Sequence, residues 1–204
     1  MDTSALLTAF VTLFVVIDPV GLAPLFVALT QGADARHRRG IAVRACAIGA
    51  GILLLFGLMG ETVLEFVGIS MPAFRIAGGA LLFLTALDML FERRTKRRGD
   101  QAARDDDPSV FPLATPLIAG PGAIATMILL TGRPGADLAW IAAVHGVMAA
   151  TVALCFVFFL AAGTLERLLG PTGINVVTRL LGMLLAALSV QFILDGLGDL
   201  GLGG

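Results

Sequence analysis

Two proline–glycine motifs interrupt apolar segments of this chain and are its best candidates for chemistry. Asp18-Pro19-Val20-Gly21 lies in the first apolar segment, and Gly120-Pro121-Gly122 lies in the fourth. Proline removes a backbone donor from a helix, and the neighbouring glycine permits a sharp bend. Each proline is therefore expected to begin a half-helix whose free N–H groups carry the positive end of the helix dipole. Two such ends that meet near the middle of a membrane would bind an anionic group such as a carboxylate.

Asp18 places a carboxylate in the middle of an apolar segment. One hypothesis makes it the residue that couples transport to H⁺ or Na⁺, because burial in a membrane raises the cost of its charge. Another makes it an N-cap that accepts from the first turn after Pro19, and the two roles are compatible. Gly120 replaces Asp18 in the second motif, so the pair is chemically asymmetric. For both motifs, the alternative to a binding site is a kink that improves packing.

The candidate substrate-binding residues combine the two motifs with two further polar side chains. They are Asp18, Pro19, Gly21, Gly120, Pro121, Gly122, Thr126 and Asn175. The Thr126 hydroxyl has an alternative fate, a hydrogen bond to the carbonyl four residues earlier. Asn175 has an alternative role as the cap of the last helix. Thr85 and Ser189 are a second pair of hydroxyls deep in apolar segments. They would either bind the substrate or, like Thr126, donate to the carbonyl four residues earlier.

Four charged residues in the third and sixth apolar segments are candidate gating residues. Arg75 and Asp195 are expected near the outer ends of these segments, and Asp88 and Arg179 near the inner ends. They would form one ion pair at each face of the membrane. The alternative is that each side chain extends independently to the lipid headgroups.

The composition is that of an integral membrane protein. Of 204 residues, 57% are hydrophobic and 14% are charged, whereas soluble domains contain about 45–50% apolar and about 25% charged residues. Six apolar segments are each long enough to cross about 30 Å of hydrocarbon. They cover residues 4–30, 41–60, 72–91, 112–131, 138–162 and 175–197. Backbone groups in lipid must be paired within their own segment, which predicts six transmembrane helices in an all-α protein.

The second half of the chain repeats the first. Arg75, Gly78 and Thr85 correspond to Arg179, Gly182 and Ser189 at a constant spacing of 104 residues, and the two proline motifs correspond at a spacing of 102. Three spans in each half give the two copies opposite orientations in the membrane. The sequence therefore predicts two inverted three-helix repeats, residues 1–91 and 112–204, joined by a charged cytoplasmic linker, 92–111.

The basic residues cluster in alternate connections between the apolar segments. Those of the predicted cytoplasmic side are Arg36, Arg38, Arg39, Arg44, Arg93, Arg94, Lys96, Arg97, Arg98, Arg104, Arg167 and Arg179. The opposite side holds only Arg75 and Arg133. Basic residues stay on the cytoplasmic side, so both termini are expected to face outward, periplasmic or extracellular. The charged linker would contact lipid headgroups or act only as a solvated tether that sets topology.

Several stretches of the sequence resemble the MarC family, also called the small neutral amino-acid transporter family. They are residues 17–26 (IDPVGLAPLF), 74–79 (FRIAGG), 115–124 (TPLIAGPGAI), 173–182 (GINVVTRLLG) and 189–196 (SVQFILDG). The resemblance extends in order over essentially the whole chain. It implies a six-span protein of the bacterial inner membrane, related to the lysine-exporter superfamily. It also implies that both proline motifs are family motifs.

Some members of the family move alanine, glycine and threonine, so the resemblance implies a secondary transporter or exporter of small neutral amino acids. A zwitterion suits the predicted site, since its carboxylate can meet the half-helix ends and its ammonium can meet Asp18. The alternative is a carrier of an inorganic ion or another small solute. An enzyme is not expected, because no catalytic cluster or nucleotide loop is present. We expect no cofactor, resident metal or nucleic-acid partner; the partners expected are the amino acid and membrane lipid, and the six-span count allows a homodimer.

Overall fold

A computed structural model describes residues 3–91 and 107–201 of the chain. Its helices are α1 (Thr3–Ile17), α2 (Pro19–Leu29), α3 (Ala35–Val67), α4 (Met71–Leu90), α5 (Pro121–Thr131) and α6 (Leu138–Asp199). A wide-turned π-helical segment, Ser109–Ile118, precedes α5. The described residues contain no strand. The all-helical class predicted from the sequence is therefore confirmed, and most of the predicted linker, 92–106, lies outside the described residues.

Both predicted breaks are present in the backbone. Asp18 separates α1 from α2, and Gly120 separates the π-helical segment from α5 with a bend of 51°. The π-helical segment replaces the regular helix that we expected from residue 112. Phe111 and Thr115 are extended, and each precedes a proline, which disfavours the helical conformation of the residue before it. The prolines at 112 and 116 were the sequence signal for this irregular stretch.

The long helix α6 changes direction at Gly170. This residue has φ 62° and ψ 173°, and Pro171 follows it. The connection expected at residues 163–174 is therefore a single non-helical residue between residues 138–169 and 171–199. Four helical stretches of the described residues are long and apolar enough to cross a membrane, and the bent pair around Gly120 is a fifth if it forms one span. A sixth span requires α6 to cross twice.

The second part of α6, residues 171–199, packs against α4 through glycines. A methyl group on Gly79 would lie 2.8 Å from the Ser189 backbone oxygen, and one on Gly196 would lie 3.0 Å from the Pro72 oxygen. Residue numbers increase along α4 while those of the contacting residues on α6 decrease, from Gly196 opposite Pro72 to Ser189 opposite Gly79. The two helices therefore run antiparallel. Small residues let helices approach this closely, and such packing stabilises helix pairs in lipid.

We predict that Gly79→Ala destabilises the fold by about 1–3 kcal/mol, because its new methyl group must displace backbone of α6. Gly51→Ala is the matched control, since Gly51 lies in α3 with no atom within 4 Å of an added methyl group. Unfolding in mixed detergent–SDS micelles, followed by circular dichroism, measures both variants. Equal stability of the two would contradict close packing between α4 and α6.

Candidate functional site

The first break is organised by the Asp18 carboxylate. The Asp18 amide donates to the Phe14 carbonyl at 2.9 Å and thereby closes α1. The residue then takes the left-handed conformation, φ 56° and ψ 62°, and its Oδ1 accepts from the Gly21 amide at 3.0 Å. Only 1% of Asp18 is exposed. The predicted N-cap is thus present in the structure, with Pro19 buried at the first position of α2.

Gly21 serves this cap directly. A methyl group at Gly21 would lie 2.2 Å from Oδ2 of Asp18. Any larger residue would therefore push the carboxylate out of its position over the first turn of α2. This contact gives Gly21 a role in holding Asp18.

The second break has the same backbone plan without the carboxylate. Gly120 is the N-cap residue of α5 in an extended conformation, φ −81° and ψ 167°, and no side chain caps this helix. A methyl group on Gly120 would lie 2.5 Å from the Pro116 backbone oxygen, so the turn excludes a side chain here. Pro121 begins α5 on an exposed position, whereas Gly122 and Ala123 are buried. The first amides of α5 therefore lie in the interior without a side-chain acceptor.

The two breaks are neighbours in the folded chain. A methyl group on Gly122 would lie 3.4 Å from Cγ1 of Val16, two residues before Asp18. The same group would lie 3.1 Å from Leu82 and 3.6 Å from the Thr85 hydroxyl oxygen on α4. The end of α1, the middle of α4 and the start of α5 thus meet at one place, which we call the break junction.

Three hydroxyls singled out in the sequence donate to their own helices. Thr126, with 0% exposure, donates to the Gly122 carbonyl at 2.8 Å. Thr85 donates to the carbonyl four residues earlier at 3.0 Å, and Ser189 donates to that of Ala186, three residues earlier, at 2.7 Å. Each oxygen retains lone pairs for a ligand. Thr85 and Thr126 both lie close to Gly122 at the break junction.

Asn175 does not occupy the helix-capping position that was one of its two predicted roles. It is exposed and lies within a helical stretch that restarts at Pro171. The helix begins four residues earlier than we expected, so Asn175 is an interior helical residue and the prediction of a cap is wrong. Its role in substrate binding stays a prediction.

The outer charge pair joins the predicted helices but uses a different carboxylate. Arg75 of α4 forms an ion pair with Asp199, and the predicted partner Asp195 instead accepts from the Gln191 amide at 2.7 Å. Asp199 is one helical turn further along the same face. Asp88 lies near the end of α4, and Arg179 lies near the start of residues 171–199. Both are at the end of the helix pair away from Arg75 and Asp199, as predicted.

A polar cluster at the start of α3 and of the π-helical segment was not predicted. Asp107 accepts from the Ser109 hydroxyl at 2.7 Å and from its amide at 3.0 Å, and lies 3.3 Å from the Arg44 guanidinium. The hydrogen bonds from Ser109, followed by the charge of Arg44, lower the pKa of Asp107 below its usual value. This cluster ties the two halves of the chain together at the Arg-rich end of α3.

We predict that two substitutions of Asp18 differ in their effect on the stability of the fold. Asn retains an acceptor and tolerates the left-handed conformation, whereas Ala loses both advantages. Asp18→Ala should therefore unfold with about 1–3 kcal/mol less stability than Asp18→Asn. Chemical unfolding in detergent measures the difference. Two variants of equal stability would show that the cap contributes little to the fold.

We further predict an acid-dependent contribution from Asp107. Because its contacts lower the pKa in the folded state, the ionised carboxylate stabilises the fold above the unfolded pKa, and this stabilisation is lost as the pH falls through the folded pKa. Asp107→Asn should be less stable than the wild type near pH 7, and the difference should shrink towards pH 3. The half-exposed pair makes the effect small. A difference that grows on acidification would contradict this assignment.

Comparison with known proteins identifies the family. Residues 3–200 match the model of the family described as MarC family integral membrane protein. The chain is similar to a UPF0056 membrane protein of Aquifex aeolicus, with 36% identity over 203 residues that cover 94% of this chain and 92% of that protein. It is also similar to the UPF0056 membrane protein YvbG of Bacillus subtilis, with 36% identity over 204 residues and coverage of 97% and 96%.

A third relative is the UPF0056 inner membrane protein YhgN of Escherichia coli K12, with 33% identity over 194 residues that cover 94% of this chain and 95% of that protein. No solved structure matches the chain. The prediction from the sequence motifs is confirmed: the chain belongs to the MarC family of integral membrane proteins.

Proposed function

We propose that the chain is a secondary transporter of small neutral amino acids that works by alternating access. The cargo class is that of alanine, glycine and threonine, and its site is the break junction. The observation that carries this proposal is the meeting of two helix starts, one capped by a buried carboxylate and the other without a side-chain cap.

The proposal includes six spans arranged as two inverted repeats, with α6 crossing twice. The packing of α4 on residues 171–199 supports a two-fold relation. Gly79 contacts Ser189, Ala86 contacts Gly182, and Pro72 contacts Gly196. In each pair, the α4 residue is as far along the chain from residue 82 as its partner is from residue 186, in the opposite direction. Gly79, for example, lies three residues before 82, and Ser189 lies three residues after 186. These central positions are equivalents in the 104-residue repeat, as an axis between the halves requires.

The break junction obeys the same rule. Val16, which contacts Gly122, lies two residues before Asp18, and Gly122 lies two residues after Gly120. Asp18 and Gly120 are equivalents in the 102-residue repeat, so the same kind of axis would pass between them. Leu82, at the centre of the α4 packing, also contacts Gly122. The proposed axis therefore runs through the proposed site, as in other inverted-repeat carriers.

Contacts of the outer helices add support. A methyl group on Gly57 of α3 would lie 2.8 Å from Met127 of α5. The 102-residue spacing relates Gly57 to position 159 and Met127 to position 25. A contact of the same kind is made there by Phe159 and Phe26, whose rings stack with centroids 4.6 Å apart. Corresponding faces are thus used in both halves. In the proposed division, the second repeat begins at the π-helical segment, slightly before the residue 112 expected from the sequence.

The chemistry of the break junction suits a zwitterion. Asp18 occupies the start of α2, and a substrate carboxylate would take the corresponding place at the start of α5, against the amides of Gly122 and Ala123. The substrate ammonium would then be attracted to the buried Asp18 carboxylate. Val16, Leu82 and Gly122 pack closely at the break junction, which favours a cargo whose side chain is small and apolar.

We also propose that Asp18 couples transport to H⁺ or Na⁺, since it is a buried carboxylate at the proposed site. The orientation that we propose follows the basic residues, with the Arg44 end cytoplasmic and both termini outside. The location that we propose is the inner membrane of a bacterium, where the relative YhgN is named. The described residues hold no group of three metal-ligating side chains, and no observation favours the inorganic-ion alternative.

The test is counterflow of labelled alanine in proteoliposomes, with and without a proton or sodium gradient. We expect wild-type flux, loss of flux or of its gradient dependence in Asp18→Asn, and at least a tenfold loss in Gly122→Val, whose side chain would fill the break junction. Gly51→Ala is the control and should transport like the wild type. Absence of wild-type flux of alanine, glycine and threonine in either direction would overturn the proposal.

A further inference from the structure

A separate cleft lies at the end of the bundle away from the Arg44–Asp107 cluster. Its volume is about 470 Å³, and it is lined by the end of α3, the start of α4, the α5–α6 connection and the end of α6. Glu61 and Arg44 are 17 residues apart on α3, which places them about 26 Å apart along the helix axis. The volume falls within the usual range of ligand pockets, about 300–1,000 Å³.

Four charged side chains line this cleft, and two of them form an ion pair with each other. Arg75 and Asp199 neutralise each other in an ion pair, with the Arg75 side chain only 11% exposed. Glu61 and Arg133 also line the cleft, and neither forms an ion pair with another residue in the described ranges. One negative and one positive charge are therefore left to face a ligand.

Arg133 is held in place by an aromatic ring. Its guanidinium carbon lies 3.3 Å from the centroid of the Trp140 ring. That ring is 4% exposed, and its Nε1 donates to the Leu130 carbonyl at 2.8 Å. Stacking uses the flat face of the guanidinium and leaves the N–H groups at its edge to bind a carboxylate.

We infer that this outer cleft binds small zwitterions, with Arg133 on the carboxylate and Glu61 on the ammonium. The inference rests on the proposed function for the identity of its ligand, and it adds a second site before the break junction. A simple anion would leave Glu61 unpaired, and a simple cation would leave Arg133 unpaired. The cleft therefore selects molecules that carry both charges.

The chain contains one tryptophan, Trp140, and its ring contacts Arg133 at the edge of the cleft. We expect its fluorescence in purified protein in lipid nanodiscs to change saturably with alanine. Propionate, which lacks the ammonium, and ethylamine, which lacks the carboxylate, should bind at least about tenfold more weakly, since each loses one charge-assisted hydrogen bond.

Variants assign the two charges. Glu61→Gln should weaken alanine about tenfold and remove its advantage over propionate. Arg133→Gln, measured by calorimetry because it also alters the Trp140 environment, should remove the advantage over ethylamine. Glu65→Gln is the control, since Glu65 is exposed one turn further on α3 and does not line the cleft. Wild-type affinity in Glu61→Gln, or equal binding of alanine and propionate by the wild type, would overturn the inference.

Two comparisons separate this inference from the proposed function. Selective binding of alanine at the cleft without any flux in proteoliposomes would reject the transporter and keep the cleft site. Alanine flux that is unchanged in Glu61→Gln and Arg133→Gln, together with a Trp140 response abolished only by Asp18→Asn, would keep the transporter and reject the cleft site.

Discussion

The hydrogen bond from the Gly21 amide to the Asp18 carboxylate is the interaction on which the proposed site depends. A break within an apolar helix exposes backbone donors that lipid cannot satisfy, so the protein must supply acceptors from its interior. At the first break, Asp18 supplies one, and the absence of a side chain at Gly21 leaves room for it. At the second break, the sequence supplies none, and the buried first turn of α5 retains its positive end. In the proposed site, the difference of one residue, Asp18 against Gly120, would give one turn that accepts from the ligand and one turn that donates to it.

Close glycine packing places these two turns together. Gly79, Gly182 and Gly196 bring the backbone of α4 against that of residues 171–199, and Leu82 on the same helix reaches Gly122 at the second break. A helix pair separated by ordinary side chains would hold the breaks several ångströms further apart. The same smooth contact suits a carrier, because small residues let one half slide or rock against the other without repacking large side chains. Packing and the proposed transport cycle therefore depend on the same residues.

The sequence predicted features whose cause is local. The breaks at Asp18 and Gly120 and the cap formed by Asp18 follow from residue types within one turn of helix, and all are present. The partner of Arg75 was wrong by one turn, Asp199 rather than Asp195, because the register of α4 on α6 is decided by the packing of glycines that a single sequence does not place. The cap predicted at Asn175 was wrong because a single residue, Gly170, turns the chain before Pro171, and the helix begins earlier. The cleft with Glu61 and Arg133 joins distant parts of the chain, and no spacing in the sequence indicates it.

The distribution of charge along the molecule gives the proposed path a direction. At one end, Glu61 and Arg133 offer separate charges in an open cleft, where water still shares in binding and the hold on a zwitterion is weak. At the break junction, Asp18 is buried, and any charge it meets there interacts in a medium of low polarity, so the same ligand would be held more firmly. At the other end, Arg44, Asp107 and Ser109 bind one another and join α3 to the start of the second half. In the proposed carrier, the cleft end would face outward and the Arg44–Asp107 end inward, so opening the inner end would require the half-exposed Arg44–Asp107 contact to break.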